Sequence, residues 1–371
     1  MTRKRSRLIS SALTIGLGLV VGGCFDSNPA DPGGEEPLWD LDQCDFDLTY
    51  VADGGVGFDG IPAISNPIMV DATEGNEIGY LENTHRVIGI VVGGQPMAFP
   101  LSALWHHEVL NLDQGGTQLV VIHGTLSGSS RVFLRSAASG ANFGVSGLLY
   151  RNNIIVYDRS DSPSLWAQLP GEGRCGPGEG TSLVPYPFVE GTWAGWLNLH
   201  PNTLVLSGLT AQSPLWGQYP YGNYEETPDF FFSEAMPPLD GRRAAKERVL
   251  GVREGTQGGI AFPFGEFPES DELAVAHGEV GGRGLVVFWK RDLQGAAAFW
   301  AEGGGQSLTF TVQDGHFADQ ETGTTWSFTG TGSAGELDGV QLESVAEATV
   351  AYWGAWAAFF AATEIWERNG G

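Results

Sequence analysis

The sequence predicts a mainly β protein of two tandem homologous β-sandwich or barrel-like units, each with a short Trp-bearing amphipathic helix near its end. The first observation behind this prediction is a repeated aromatic spacing. Trp166 is followed by Trp193, Trp196 and Thr203, and Trp326 is followed at the same intervals by Trp353, Trp356 and Thr363. Tryptophan makes up only 12 of the 371 residues, so the shared spacing indicates one structural unit built twice.

The second observation is a series of short β-branched or aromatic runs bounded by glycine and polar turns, which is typical of strands. The chain also has 55 glycines, which disfavour long helices. Strands of this length at close spacing indicate packed sheets or a small barrel. The predicted strands are 87–92, 119–122, 131–133 and 154–157 in the first copy, and 285–288, 296–300 and 308–312 in the second.

Each copy has one segment with a helical period instead. Trp193, Trp196 and Leu197 share one helical face, Thr192 is a suitable N-cap, and Pro201 would end the helix. Aromatic residues with this period usually belong to a core, so we expect a structural role rather than a sugar-stacking platform. The predicted structural tryptophans are Trp166, Trp193, Trp196, Trp326, Trp353 and Trp356.

Matched motifs set the domain boundaries. Val87-Ile88-Gly89 opens the first copy, and Val249-Leu250-Gly251 opens the second. The predicted organisation is an N-terminal segment, 47–86, packing on repeat 1, then repeat 1 at 87–207, a connector at 208–248 and repeat 2 at 249–366.

The N-terminus predicts export. A basic head precedes an apolar run, 8–21, that is too short to span a bilayer comfortably, and small residues lead to Cys24. We predict a lipoprotein signal peptide at 1–23, with lipid on Cys24; the alternative is an ordinary signal peptide cleaved near Gly23. Residues 24–46 then form an acidic Pro/Gly tether. The expected location is the cell envelope, at an outer membrane, in the periplasm or on the cell surface, with membrane lipid as a partner through Cys24.

Charge and cysteine content narrow the partners further. The chain has 19 Lys and Arg against 44 Asp and Glu, a net charge of −25, which disfavours nucleic acid. In an oxidising compartment Cys44 and Cys175 could form a disulfide that joins the tether to repeat 1. The alternative is two unpaired thiols.

Many short motifs occur in the order typical of one family, the domain of unknown function 3179, which the chain resembles over most of 55–366. The stretches that carry this resemblance are 59–64, 87–100, 107–109, 143–150, 157–159, 165–166, 219–224 and 246–252. The resemblance implies an uncharacterised, mostly β, often exported bacterial or archaeal protein and brings no established activity. Many members have a Cys-Pro-Leu-Cys-like turn where this chain has His123 to Gly128, so no thiolate for metal or redox chemistry is present there.

The candidate functional residues all lie in repeat 1: His107, Glu108, His123, Ser146, Tyr150 and Asp158. The stretch from His106 is a near miss for a zincin helix, because Asn111 stands where the second histidine must be. We predict no cofactor; a metal held by His107 and His123 is the alternative. The leading hypothesis is a non-catalytic binding or structural module that recognises an unknown ligand or envelope protein through repeat 1. The alternative is an enzyme, a hydrolase or a metal-dependent one, with its site in repeat 1.

Overall fold

The structure is a computed structural model, and it describes residues 39–77, 79–209 and 213–368. Strands account for 42% of the chain and helices for 14%, which confirms the predicted mainly β class. The predicted signal peptide and Cys24 lie outside the described residues. Within the described ranges, no helix has the length and apolar character needed to cross a membrane.

In the described ranges 39–77 and 79–209 the structure has fifteen strands and three α-helices. The N-terminal segment has β1 (Val51–Asp53), β2 (Ile64–Ser65), β3 (Met69–Asp71) and α1 (Ala72–Glu77). The first half follows with β4 (Arg86–Val92), β5 (Gln95–Pro100), α2 (Leu101–Leu104), β6 (Val109–Gln114), β7 (Thr117–Gly124), β8 (Ser129–Leu134), β9 (Phe143–Tyr150), β10 (Asn153–Asp158), β11 (Leu165–Ala167), β12 (Glu172–Cys175), β13 (Val184–Pro185), β14 (Val189–Thr192), α3 (Trp193–Leu199) and β15 (Leu204–Leu206).

The second half begins after short 3-10 turns in the connector. Its elements are β16 (Arg248–Glu254), β17 (Gly258–Pro263), β18 (Leu273–Val280), β19 (Arg283–Lys290), β20 (Gly295–Trp300), β21 (Glu302–Gly303), β22 (Gln306–Ser307), β23 (Phe310–Gln313), β24 (His316–Asp319), β25 (Thr325–Trp326), β26 (Gly332–Ala334), β27 (Thr349–Tyr352), α4 (Trp353–Phe359) and β28 (Ala362–Ile365).

Three sheets of the first half have counterparts in the second. The order β14-β4-β5-β15 matches β27-β16-β17-β28, with the last pair parallel in both. The order β8-β7-β6 matches β20-β19-β18, and β9 to β12 match β23 to β26. Each first-half sheet gains one extra edge strand from the N-terminal segment, namely β3, β2 and β1. That segment therefore packs along the whole first half.

The six indoles of the repeated spacing are all buried, with at most 3% exposure. Their hydrogen bonds match as well. The indole N–H of Trp196 donates to Thr203 Oγ1 at 2.9 Å, and that of Trp356 donates to Thr363 Oγ1 at 2.9 Å. The Thr192 hydroxyl accepts from the Gly195 amide and caps α3. A threonine at or just before the following strand therefore satisfies the indole N–H of Trp196 and of Trp356, as a buried N–H requires.

Glycine allows each helix to lie close to its sheet. A Cβ placed on Gly89 would lie 2.4 Å from the Trp196 ring, and one on Gly251 would lie 2.6 Å from the Trp356 ring. Real Cβ atoms do not approach that closely, so each helix needs glycine at this point of the strand below it.

Part of the predicted tether is not extended. Trp39 and Phe46 are buried, with 9% and 8% exposure, and the Trp39 indole donates to the Pro163 carbonyl at 3.1 Å. The structure joins Cys44 to Cys175 in a disulfide, with their Cα atoms 4.6 Å apart. Residues 39–46, which the composition assigned to the tether, are instead part of the folded body, because these two aromatic rings bury apolar area there.

The two halves pack against each other. One apolar core cluster includes Val87 and Trp196 from the first half with Phe288 and Trp326 from the second. Strand β14 of the first half contacts β20 of the second, and β27 of the second half contacts β8 of the first. Because β14 matches β27 and β8 matches β20, the two contacts are equivalent. Any site between the halves therefore has a counterpart on the other side.

Candidate functional site

A buried carboxylate lies where the halves meet. Glu190, on β14, is 1% exposed. Its Oε1 accepts from Arg86 Nε at 2.9 Å and from Arg248 Nη1 at 2.6 Å. Its Oε2 accepts from the Ser130 hydroxyl at 2.6 Å, and Ser130 Oγ lies 3.1 Å from His123 Nδ1. We call these five residues the carboxylate cluster.

The charges of the cluster compensate one another. Burial alone would raise the pKa of Glu190, but the two guanidinium groups outweigh it and lower that pKa to about 2. Burial lowers the pKa of His123 to about 4, so its imidazole is neutral at neutral pH. Glu190 is therefore an anion held by two cations, and His123 adds no charge.

The order of groups in the cluster does not suit nucleophilic catalysis. The Ser130 hydroxyl donates to Glu190, so its oxygen accepts from His123 Nδ1–H. A catalytic serine instead donates to a histidine that a carboxylate orients. Ser130 is also completely buried. The arrangement is a structural hydrogen-bond relay.

His107 and His123, the alternative metal ligands, have other partners. The Nδ1 of His107 is 2.7 Å from the Pro62 carbonyl, and its Nε2 accepts from the Trp216 indole at 3.2 Å. Both ring nitrogens of His107 are thus already occupied. In the part of the chain that the structure describes, no group of three His, Cys, Asp or Glu residues could hold a metal.

Glu108 contacts the carboxylate cluster through a backbone hydrogen bond. Its carbonyl accepts from the His123 amide at 2.8 Å, and its φ of 55° is in the left-handed region. Burial raises the pKa of its carboxyl to about 8. Near neutral pH this side chain is therefore mostly protonated, which removes the cost of an unpaired buried charge.

Ser146, Tyr150 and Asp158 serve the sheet of β9 to β12. Ser146 Oγ donates to the Ile155 carbonyl at 2.5 Å, and Tyr150 packs edge-on against Phe46 and Phe359. Asp158 accepts from the Trp166 indole at 2.8 Å, as Asp319 does from Trp326 at 2.9 Å. These three candidates have local structural partners and do not join the carboxylate cluster by any hydrogen bond recorded among the described residues.

No catalytic or metal-binding motif in the sequence contains Arg86, Ser130, Glu190 or Arg248. One signal was present: Arg86 and Arg248 each directly precede the glycine-containing motif that opens a copy. A second signal lies before the helices, where Glu190 corresponds to Val350. A glutamate at a position where the other copy has an apolar residue indicates a buried carboxylate with a charged partner.

An apolar cleft opens on the other side of β14. Its volume is about 550 Å³, within the range of small-molecule sites. The first half contributes β4, β14 and the end of α3, including Trp196 and His200. The second half contributes β20 and the segment 328–348, including Ala297, Phe299 and Phe328. Strand β14 thus has the carboxylate cluster and the cleft as its two neighbours.

The protein-family model described as "Protein of unknown function (DUF3179)" matches residues 58–363. The chain therefore belongs to the DUF3179 family. None of the curated proteins matches it, and neither does any solved structure.

Proposed function

We propose that this protein is a lipid-anchored envelope protein whose two tandem homologous units bind a small apolar molecule in the cleft between them. The single observation that carries the proposal is the difference between the two interfaces. The interface of β14 with β20 contains the open cleft of about 550 Å³. At the matching interface of β27 with β8, arginine side chains cross between the halves.

Two positions account for this difference. Gly89 and Gly251 occupy matching places, because each pairs with an alanine of the next strand, Ala98 and Ala261 respectively. Val91 and Arg253 lie two residues further along and therefore also match. Arg253 Nη1 donates to the Pro170 carbonyl at 2.8 Å and lies 3.3 Å from Glu172 Oε1, which closes its interface. Val91 lines the open cleft.

The second position is on the facing strand. Arg131 on β8 pairs with Ile122, and Ala297 on β20 pairs with Phe288, the corresponding partner. Arg131 Nη1 crosses to the Glu347 carbonyl at 3.1 Å and also binds Thr349 Oγ1. Ala297 is too short to cross, so the same space stays empty. Such a concave apolar surface favours an apolar ligand, at about 25 cal/mol per Å² removed from water.

The proposal is tested with the full chain in nanodiscs of zwitterionic lipid, titrated with 1-methylpyrene. Tryptophan-sensitised pyrene emission reports binding, because Trp196 lines the cleft. We expect saturable binding of one equivalent above the signal of empty nanodiscs. Absence of a saturable signal would refute the proposal.

Two variants tie that signal to the cleft. Ala297→Phe fills it, and Val91→Arg copies the closed interface at a residue that is 41% exposed and therefore tolerant of substitution. Both should weaken binding at least tenfold. Val184→Arg is the matched control, because Val184 is similarly exposed at 46% and lies outside the cleft.

The lipid anchor has a separate test. Mass spectrometry of the mature chain should find an acylated N-terminal Cys24, and Cys24→Ser should release the protein from the membrane fraction. Two acyl chains are needed for stable anchoring. An unmodified mature N-terminus beginning elsewhere would support the ordinary signal peptide instead.

A further inference from the structure

The cleft contains one side chain suited to recognising a polar group on its ligand. His200 follows α3, and its ring lies 4.2 Å from the Trp196 ring at 48°. The imidazole is half-buried, and among the described residues no hydrogen bond to either of its ring nitrogens is recorded. Its ring nitrogens can therefore hydrogen-bond a ligand that enters the cleft.

Two other polar groups nearby already have partners. The Tyr186 hydroxyl donates to the Val91 carbonyl at 2.7 Å. The Gln341 amide donates to the Thr329 carbonyl at 2.9 Å, and its oxygen accepts from Thr331 at 2.7 Å. These groups stabilise the walls of the cleft and are not free to select a ligand.

The closed interface lacks such a group at the matching place. Phe360 follows α4 as His200 follows α3, and its ring lies 4.3 Å from the Trp356 ring at 42°. The ring contact is therefore the same on both sides, but only the open side has a hydrogen-bonding ring. Packing alone does not require a histidine here, because phenylalanine makes the same contact.

The absence of charged side chains in the cleft lining restricts the charge of the ligand. Among the described residues that line the cleft there is no Asp, Glu, Lys or Arg. Burial lowers the pKa of His200, so its ring is neutral at neutral pH. An ionised group would lose water in the cleft without gaining a counter-charge, which disfavours its binding. A hydroxyl or carbonyl would gain one hydrogen bond instead.

Resting on the proposed function, we infer that the cleft selects an uncharged amphiphile: an apolar body against Trp196, Phe299 and Phe328, and one neutral hydrogen-bonding head group at His200. The imidazole donates to a carbonyl or accepts from a hydroxyl, according to its tautomer. No covalent step is involved.

Three probes of the same shape test this inference in the nanodisc titration: 1-hydroxypyrene, 1-methylpyrene and 1-pyrenecarboxylate. Wild-type protein should prefer 1-hydroxypyrene to 1-methylpyrene by about fivefold, the effect of one net hydrogen bond. The carboxylate should bind at least tenfold more weakly than the hydroxyl compound. Each titration is corrected for partition into empty nanodiscs.

His200→Phe copies Phe360 and should abolish the preference, so that 1-hydroxypyrene and 1-methylpyrene bind this variant with equal affinity. His200→Gln keeps a hydrogen-bonding side chain and should restore part of the preference. Equal binding of the hydroxyl and methyl compounds by wild type, or a preference that survives in His200→Phe, overturns the inference while the proposed function stands. Failure of all three probes to bind wild type overturns both.

Discussion

Replacing Glu190 with glutamine should remove about 3 kcal/mol from the free energy of unfolding near neutral pH. The substitution keeps the size of the side chain but leaves Arg86 and Arg248 facing a neutral amide. Their side chains are 16% and 23% exposed, so water compensates only partly. Removing one partner of a buried ion pair typically lowers the free energy of unfolding by about 3–5 kcal/mol.

The pKa of Glu190 gives an independent magnitude. It falls from an ordinary value of 4.5 to about 2, because Arg86 and Arg248 outweigh the effect of burial. That difference corresponds to about 3 kcal/mol. Since the folded-state pKa is depressed, this stabilisation is complete above pH 4.5 and is lost as the pH falls from about 4.5 towards 2. At about pH 3 roughly half of it should remain.

Urea unfolding of wild type and Glu190→Gln, followed by tryptophan fluorescence at neutral pH and at about pH 3, measures both effects. Urea is uncharged and does not screen the ion pairs, unlike guanidinium. Glu179→Gln is the control, since Glu179 is exposed and should change stability by less than about 0.5 kcal/mol. A neutral-pH loss below about 1 kcal/mol, or a loss that stays constant down to low pH, would show that the cluster does not stabilise the fold as argued.

Three more predictions concern the framework. Gly251→Ala should destabilise the fold by about 1–3 kcal/mol, because its Cβ would lie 2.6 Å from the Trp356 ring; thermal unfolding followed by circular dichroism measures this. Reduction of the disulfide should remove about 2–5 kcal/mol, seen as a lower unfolding midpoint with reductant present. The double variant Arg131→Ala and Arg253→Val should open the second interface and raise the binding capacity for 1-methylpyrene from one equivalent to two.

Each of these three predictions has its own control or contradicting outcome. Gly217→Ala is the control for the glycine, since no atom lies within 4 Å of a Cβ at that position and it should be neutral. An unchanged midpoint under reductant would mean that the disulfide does not constrain the chain. A stoichiometry of one in the folded double variant would contradict the view that arginine alone fills the second interface.

The sequence by itself determined the mainly β class and the family. These depend on local signals, which a single chain displays. Thr192 caps the helix that the Trp193 and Trp196 period predicts, and that helix ends at Leu199, just before Pro201. Seven predicted strands correspond to observed ones; the strand predicted at 308–312 begins at Phe310, because the Leu308 amide donates to the Ala301 carbonyl instead.

Only the tertiary structure decided where the chain's polar groups meet. Arg86, Ser130, Glu190 and Arg248 are far apart in sequence, and the pairing of β4 with β14, together with the packing of the two halves, brings them to one carboxylate. The same holds for the cleft, which is lined by Val91 of the first half and Ala297 of the second. Burial and charge compensation are properties of neighbours in space, and spacing along the chain does not contain them.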